Sequence, residues 1–311
     1  MKYWFLSELC FDFGLGKMLS FKKIEEGYQT ENISLKTQKG KYLVKIFPKP
    51  WKDEQIKDQV WVLQYLAEQG IPVTKIKSGR SGYIYRNKMG STNIKAIVIE
   101  WIDGKMLRDV KNDKEIIISI TKGLARLHGI KNRVHNKYDS WGPTNLLAEF
   151  KSKGKYLVER DLELISPIVS QFMKVNQEKL PKSLIHGTPE SQNIIVKNDG
   201  SYVFLDFGCM DYNGRIYDLA IFLAFSCFNL SEPRDDIKTY NSVLETYQKY
   251  HKLTDYELRV LPLFIKVSFA AMLVGTNYSL KVEKEKGKGI EEWYERAKRG
   301  LGWMGKLSVN N

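Results

Sequence analysis

Apolar and polar residues change period several times along this chain, and each change marks an element. NISLKT (32–37) and YLVKIF (42–47) are short β-favouring runs on either side of QKGK, a glycine-containing turn, which predicts a hairpin. In KDEQIKDQVWVLQYLAEQG the period lengthens: Ile56, Val60, Leu63 and Ala67 recur at helical spacing, acids fill the first turn, and Gly70 ends the run before Pro72. GYIYR (82–86) and IKAIVIEWI (94–102) return to strand character and stop at the turn signal DGK. After Gly104 the pattern turns helical. Asp113 caps a helix that places Ile116, Ile117, Ile120, Leu124 and Leu127 on one face and ends at Gly129. A second helix is predicted within 159–178. Two short strands follow, NIIV and YVFLDF, joined by KNDG, and then helices near 217–228, 235–251, 255–281 and 290–304. There is no internal repeat and no low-complexity segment.

A chain of 311 residues is long for one core. The shift from strands to helices predicts an α+β protein of two lobes, an N-terminal one over 1–103 and a larger, mainly helical one over 104–311. With 43% hydrophobic and 27% charged residues and no uninterrupted apolar run of bilayer length, the composition is that of a globular protein without a membrane partner. The opening MKYWFLSELCFDFG carries acids within its apolar part and has no small-residue cleavage site, which argues against a signal peptide and for the cytoplasm. Cys10, Cys209 and Cys227 are too scattered for a disulfide framework or a zinc site, and of the four dispersed histidines only His186 falls among candidate site residues. The net charge of +13 suits a phosphate-bearing ligand or an acidic partner. Its spread over both halves makes nucleic acid an unlikely one.

Chemistry concentrates in LIHGTPESQNIIV (184–196) and FLDFGCMDYNGRIYDLA (204–220). Of two Asp-Phe-Gly triplets, the one at Asp12 has nothing catalytic before it and reads as a turn after a short helix. The one at Asp206 ends a hydrophobic strand, and Asn193 stands upstream across a predicted hairpin, after His186-Gly187. Phosphoryl transfer needs Mg²⁺ on the nucleotide phosphates, and an Asn and an Asp at the two ends of a hairpin supply hard oxygen ligands for it.

In these residues the chain resembles the superfamily of aminoglycoside phosphotransferases and choline and homoserine kinases, whose pattern is His-Gly-Asp, four residues, Asn, then a strand ending in Asp-Phe-Gly, then Asp-Leu-Ala. The resemblance implies the two-lobed protein-kinase-like fold. It implies ATP, or another nucleoside triphosphate, with Mg²⁺ as cofactors and a small hydroxyl-bearing substrate as partner. Asn193 and Asp206 would then be metal ligands, His186 a structural residue of the catalytic loop, and Asp218 the buried acid at a helix start that braces it. Lys45 would meet the nucleotide phosphates, the loop from Gly27 would cover them, and backbone groups of Glu100 and Ile102 would meet adenine.

Two positions depart from the pattern. Thr188 stands where the family has the acid that receives the acceptor's proton, and a neutral hydroxyl cannot take a proton at pH 7 as a carboxylate does. Transfer is therefore expected to be slow unless Glu190, two residues on, turns inward. Gln59 stands where many members pair a helix Glu with the strand lysine; it can hydrogen-bond Lys45, and Glu54 is a nearby substitute. The sequence thus leaves open a nucleotide-binding pseudokinase or partner-binding module, or a kinase-like enzyme acting on peptides. The acceptor would be read by the tail beyond residue 230, where Tyr240, Tyr247, Trp293 and Tyr294 line a pocket or, at helical spacing, the core.

Overall fold

The structure is a computed structural model, and it describes residues 2–24, 30–49, 51–89, 92–110, 113–230, 233–284 and 288–309. The chain divides into two compact units. One comprises Met1–Lys105 with Ile195–Gly208, the other Met106–Ile194 with Cys209–Asn311.

The first unit is built on a five-stranded antiparallel sheet in the order β1-β2-β3-β5-β4. Its strands are β1 (Met18–Ile24), β2 (Glu31–Thr37), β3 (Gly40–Phe47), β4 (Tyr85–Met89) and β5 (Thr92–Glu100). The predicted hairpin is β2–β3, closed by the pair Thr37 and Gly40. Helix α1 (Lys2–Asp12) packs Phe5, Leu6, Leu9 and Cys10 on Ile33, Leu35, Val44, Ala96 and Val98. Side chains alternate along a strand. Because Tyr42, Val44 and Ile46 join this cluster, Lys45 lies on the opposite face of β3. Helix α2 (Asp53–Glu68) buries Ile56, Val60 and Leu63 at the predicted spacing, but the next buried position on that face is Leu66 rather than Ala67, which is exposed. Its first turn is fixed by Asp53, which Lys95 and Arg86 both contact, holding the carboxyl below its usual range.

Strands β6 (Lys105–Met106), β8 (Ile194–Val196) and β9 (Tyr202–Phe204) form a small sheet in the order β6-β8-β9. Phe204 donates its N–H to Pro72 O (2.9 Å) and bridges Val73, which fastens this late hairpin to the first unit. Gly104 is required there, since a Cβ would sit 2.5 Å from Val196 O.

The second unit is helical apart from the paired strands β7 (Lys182–Ile185) and β10 (Asp211–Gly214). Its helices are α3 (Lys114–Leu127), α4 (Leu146–Lys153), α5 (Glu159–Phe172), α6 (Ile216–Phe222), α7 (Pro233–Gln248), α8 (Asp255–Tyr278) and α9 (Lys288–Val309). As predicted, Asp113 caps α3 by accepting from Glu115 N. A capping box of Thr254 and Glu257 opens α8. The pattern missed β1, β6, β7, β10 and the short α4: β6, β7 and β10 are too short to show a period, and β1 exposes most of its residues, so no buried face repeats along it.

Asp255–Glu283 is long and apolar enough to cross a membrane, with a mean hydropathy of 1.8, yet 72% of its apolar stretch is buried inside the protein. It is apolar all round because α4, α5, α6 and α9 pack about it.

The packing of α9 on α8 yields a paired test. A Cβ at Gly300 would lie 2.4 Å from the ring of the fully buried Phe269, whereas one at Gly302 meets nothing within 4 Å. Gly300→Ala is expected to destabilise the protein by about 1–3 kcal/mol through overpacking. Gly302→Ala should stabilise it by about 0.5–1 kcal/mol through helix propensity, both read by chemical denaturation.

Candidate active site

In the first unit the structure brings Lys45 and Asp206 together. Lys45 is 5% exposed, and its Nζ donates to Asp206 Oδ1 at 2.5 Å. Asp206 adopts φ 52°, a left-handed conformation unusual for a non-glycine residue, and its Oδ1 also accepts from Gly208 N at 3.1 Å. Local turn and buried lysine together aim the carboxylate. The expectation that α2 supplies Lys45's partner is not met: its partner is Asp206, and the buried Gln59 Nε2 has no partner among the described residues. A neutral amide offers Lys45 no charge to pair with, and Asp206 does.

Glu100 N–H is taken by Lys75 O at 2.9 Å and its carboxylate accepts from Lys77 at 3.4 Å, so this residue has only its carbonyl to offer a ligand. The Ile102 backbone has no partner among the described residues. Gly27 lies outside the described residues.

In the second unit the loop 186–193 is held almost atom by atom. Asp218, fully buried in the first turn of α6, accepts from His186 N at 2.6 Å and Gly187 N at 2.8 Å. Gly187 takes φ 88°, and a Cβ there would fall 2.0 Å from Cys209 O, so only glycine fits. Thr188 N–H donates to His186 Nδ1 at 3.3 Å. Ser226, from a π-helical turn at Leu223–Cys227, donates to Pro189 O at 3.0 Å. Asn193 Nδ2 donates to Thr188 O (3.0 Å) and Thr188 Oγ1 (3.2 Å), which leaves its carbonyl oxygen without a partner among the described residues. Thr188, half-buried, therefore sits beside Asn193 with a hydroxyl and no charge.

Glu190 was expected to be exposed or turned inward; it is buried, 9% exposed, with Oε2 accepting from Gln192 at 2.8 Å. Burial pushes its carboxyl up to about 7, helped by the negative charge of Asp139 and opposed by the Gln192 hydrogen bond and Arg296. Burial also raises Asp139, despite bonds from Trp141 N and the Cys209 thiol. The aromatics resolve towards structure: Tyr247 is fully buried, Trp293 packs edge-on against Trp141 at 5.6 Å, and Tyr294 donates to Asp161 at 2.5 Å.

A buried lysine on a carboxylate, and separately a glycine-dependent loop on a buried aspartate, are each features that phosphoryl-transfer chemistry can use. Residues 20–253 match the family model described as "Phosphotransferase enzyme family". The chain belongs to that family. As a member it is a phosphotransferase. This phosphotransferase is 25% identical to a homoserine kinase of Caulobacter vibrioides over 261 residues, which is 82% of the chain and 80% of that protein. An amicoumacin kinase in complex with AMP-PNP, Ca²⁺ and Ami shares its fold with a TM-score of 0.73 at 14% identity, covering 96% of this chain and 92% of that one. A choline kinase from Streptococcus pneumoniae superposes with a TM-score of 0.62 at 17% identity, covering 97% and 99%. The resemblance read from the motifs, and the α+β fold it implies, are borne out.

Sequence reasoning passed over His128, which is fully buried with Nε2 3.1 Å from Asp218 Oδ2. Its signal was present in the buried position at the end of α3, GLARLHG, where an apolar side chain would serve packing alone.

The raised Glu190 carboxyl gives a pH test on the metal-free protein. The folded chain keeps a proton that the unfolded chain releases above about 4.5, so this group costs stability increasingly as pH rises to about 7. Glu190→Gln keeps the contact to Gln192 without the charge. It is expected to gain roughly 2–3 kcal/mol over the parent at pH 8 and almost nothing at pH 4.5, in denaturation curves at both pH values.

Proposed function

We propose that this phosphotransferase moves the γ-phosphoryl group of ATP, as its Mg²⁺ complex, to a hydroxyl of a small molecule in the cytoplasm, and does so slowly because Thr188 replaces the proton-accepting carboxylate. Residues 1–103 are the nucleotide lobe and 104–311 carry the catalytic loop and the acceptor site. In this reading Lys45 contacts the phosphates, the loop at Gly27 covers them, the Glu100 carbonyl and Ile102 N–H meet the adenine edge, and Gln59 supports the nucleotide site from α2. Asn193 and Asp206 hold the metal. The residues fit it: a carboxamide oxygen left free by its own amide's hydrogen bonds and a carboxylate are two hard donors. That is the donor poverty of a Mg²⁺ site completed by substrate phosphates. Bound there, Mg²⁺ neutralises charge on the transferring group.

The observation that carries the proposal is the intact loop around a changed residue. Asp218, Gly187, Ser226 and Asn193 hold the backbone as a catalytic loop, yet the side chain at its centre is a hydroxyl. Positioning and electrostatics survive such a change; proton acceptance, typically about 10²- to 10⁴-fold, does not. His186 shapes the loop, Thr188 orients the acceptor oxygen by a hydrogen bond, and Glu190 is the nearest carboxyl in sequence. Homoserine and choline, the acceptors named for its relatives, are the first to try.

Mg-ATP should raise the melting temperature, and Asp206→Ala should abolish the metal-dependent part of the shift. Thr188→Asp should raise kcat by about 10²-fold with nucleotide affinity unchanged. Absence of any shift at millimolar Mg-ATP rejects the nucleotide site. Binding by both proteins without transfer to any acceptor favours a pseudokinase, and fast parental turnover abolished by Glu190→Gln moves the base to Glu190.

A further inference from the structure

We propose that Arg296 of α9 is a positioning residue of the catalytic loop: its guanidinium takes a carbonyl that the π-helical turn at Leu223–Cys227 leaves open, and so keeps Ser226 aimed at Pro189, the residue after Thr188. The inference rests on the kinase reading for its effect on turnover, but not for its geometry.

In an α-helix each N–H bonds the carbonyl four residues back. Beyond the end of α6 the Phe228 N–H reaches five residues back instead, to Leu223 O at 3.0 Å, and so skips Ala224 O. Ala224 is fully buried, and a buried carbonyl without a donor is costly. Arg296 supplies the donor: its Nη2 gives one hydrogen to Ala224 O and the other to Phe228 O, both at 2.8 Å. Asp236 of α7 secures the exit from the same turn by accepting from Asn229 N at 3.0 Å and Leu230 N at 3.1 Å.

A guanidinium is a costly group to bury for a contact between helices alone. Burial and the neighbouring Arg299 hold Arg296 below its usual range, and Glu190 and Asp236 oppose them. Glu190 belongs to the catalytic loop, so the cation on α9 meets that loop through its charge as well as through the turn. The mechanical link is one bond long. Ser226 is buried, and its hydroxyl donates to Pro189 O at 3.0 Å. Pro189 stands between Thr188 and Glu190, whose backbones close a tight turn with Glu190 N–H on Thr188 O at 2.7 Å. Without Arg296 the Phe228 N–H gains by moving to Ala224 O. The turn then winds back to α-helix and Ser226 swings off Pro189, because a π turn and an α turn point the same residue in different directions. Arg296 and Ser226 both act through the loop that carries Thr188 and Asn193. The tail beyond residue 230, expected from sequence to read the acceptor, thereby also sets the loop.

The test uses the full-length protein with Arg296→Met, Arg296→Lys, Ser226→Ala and the double variant of Arg296→Met with Ser226→Ala. Amide hydrogen exchange at Glu190 should accelerate about 10-fold in Arg296→Met and in Ser226→Ala, the effect of losing one hydrogen bond. It should accelerate no further in the double variant, because the two residues act in series. Arg296→Lys keeps a charged donor and should recover most of the protection. With an acceptor that is turned over, kcat should fall about 10-fold in the same variants while KM for ATP stays constant. Parental protection at Glu190 in a folded Arg296→Met protein, or losses that add in the double variant, overturn the proposal and leave Arg296 as a fastener of α9. If Arg296→Met does not fold, native-state exchange of the parent decides: the Phe228 and Glu190 amides should open together with one denaturant dependence, and independent opening overturns the proposal. If no acceptor is turned over, the kinase reading fails while the exchange readouts still decide this one.

Discussion

A single buried carboxylate, Asp218, sets the shape of the catalytic loop. Placing a charge where no part of it reaches water costs several kcal/mol unless every lone pair finds a donor. Here the donors are two successive backbone N–H groups of the loop and one imidazole, at 2.6, 2.8 and 3.1 Å. The carboxylate and the loop therefore require each other: without the loop the charge is stranded, and without the charge two N–H groups are orphaned. Gly187 is a consequence, because the turn that aims both N–H groups at one acid needs φ 88° and a backbone against Cys209 O.

A second charge pairing organises the other unit. Lys45 is buried on a strand, and its charge is met by an aspartate that arrives much later in the chain. This is possible because β9 is stitched to Pro72 and Val73, which puts the Asp206 turn in the same compact unit as β3. In a ligand-free protein a lysine on Asp206 also neutralises a carboxylate that is otherwise half exposed.

Thr188 is the interesting exception in a loop that is otherwise complete. Its backbone O and Oγ1 both serve Asn193, so the residue holds a neighbour in the loop. A carboxylate there could accept the same Asn193 hydrogen and take a proton besides, whereas the threonine hydroxyl offers only the first. Around it the acids are not absent but displaced, with Glu190 raised by burial and by the charge of Asp139, and Asp139 raised chiefly by burial.

Much of this was legible before any coordinates. The β2–β3 hairpin, α2, α3 and the helical tail follow from period and from caps such as Asp113 and Thr254, because those signals are local. The family was legible in His186, Asn193, Asp206 and Asp218, because chemistry at fixed spacing survives where the rest of the sequence diverges. What the sequence withheld was every fact that depends on which residues meet. The segments β7 and β10 are too short to carry a period and exist because each pairs with the other across the chain, while β1 is almost wholly exposed and exists by pairing with β2. Sequence also left Gln59 and Glu54 as partners of Lys45, and counted His128 with three dispersed histidines. Tertiary structure gave Lys45 to Asp206, buried Glu190, and set His128 between Tyr247 and Asp218. The physical reason is the same in each case: a local pattern fixes how a segment folds on itself, while burial and pairing of charge are decided by contacts between segments far apart in the chain.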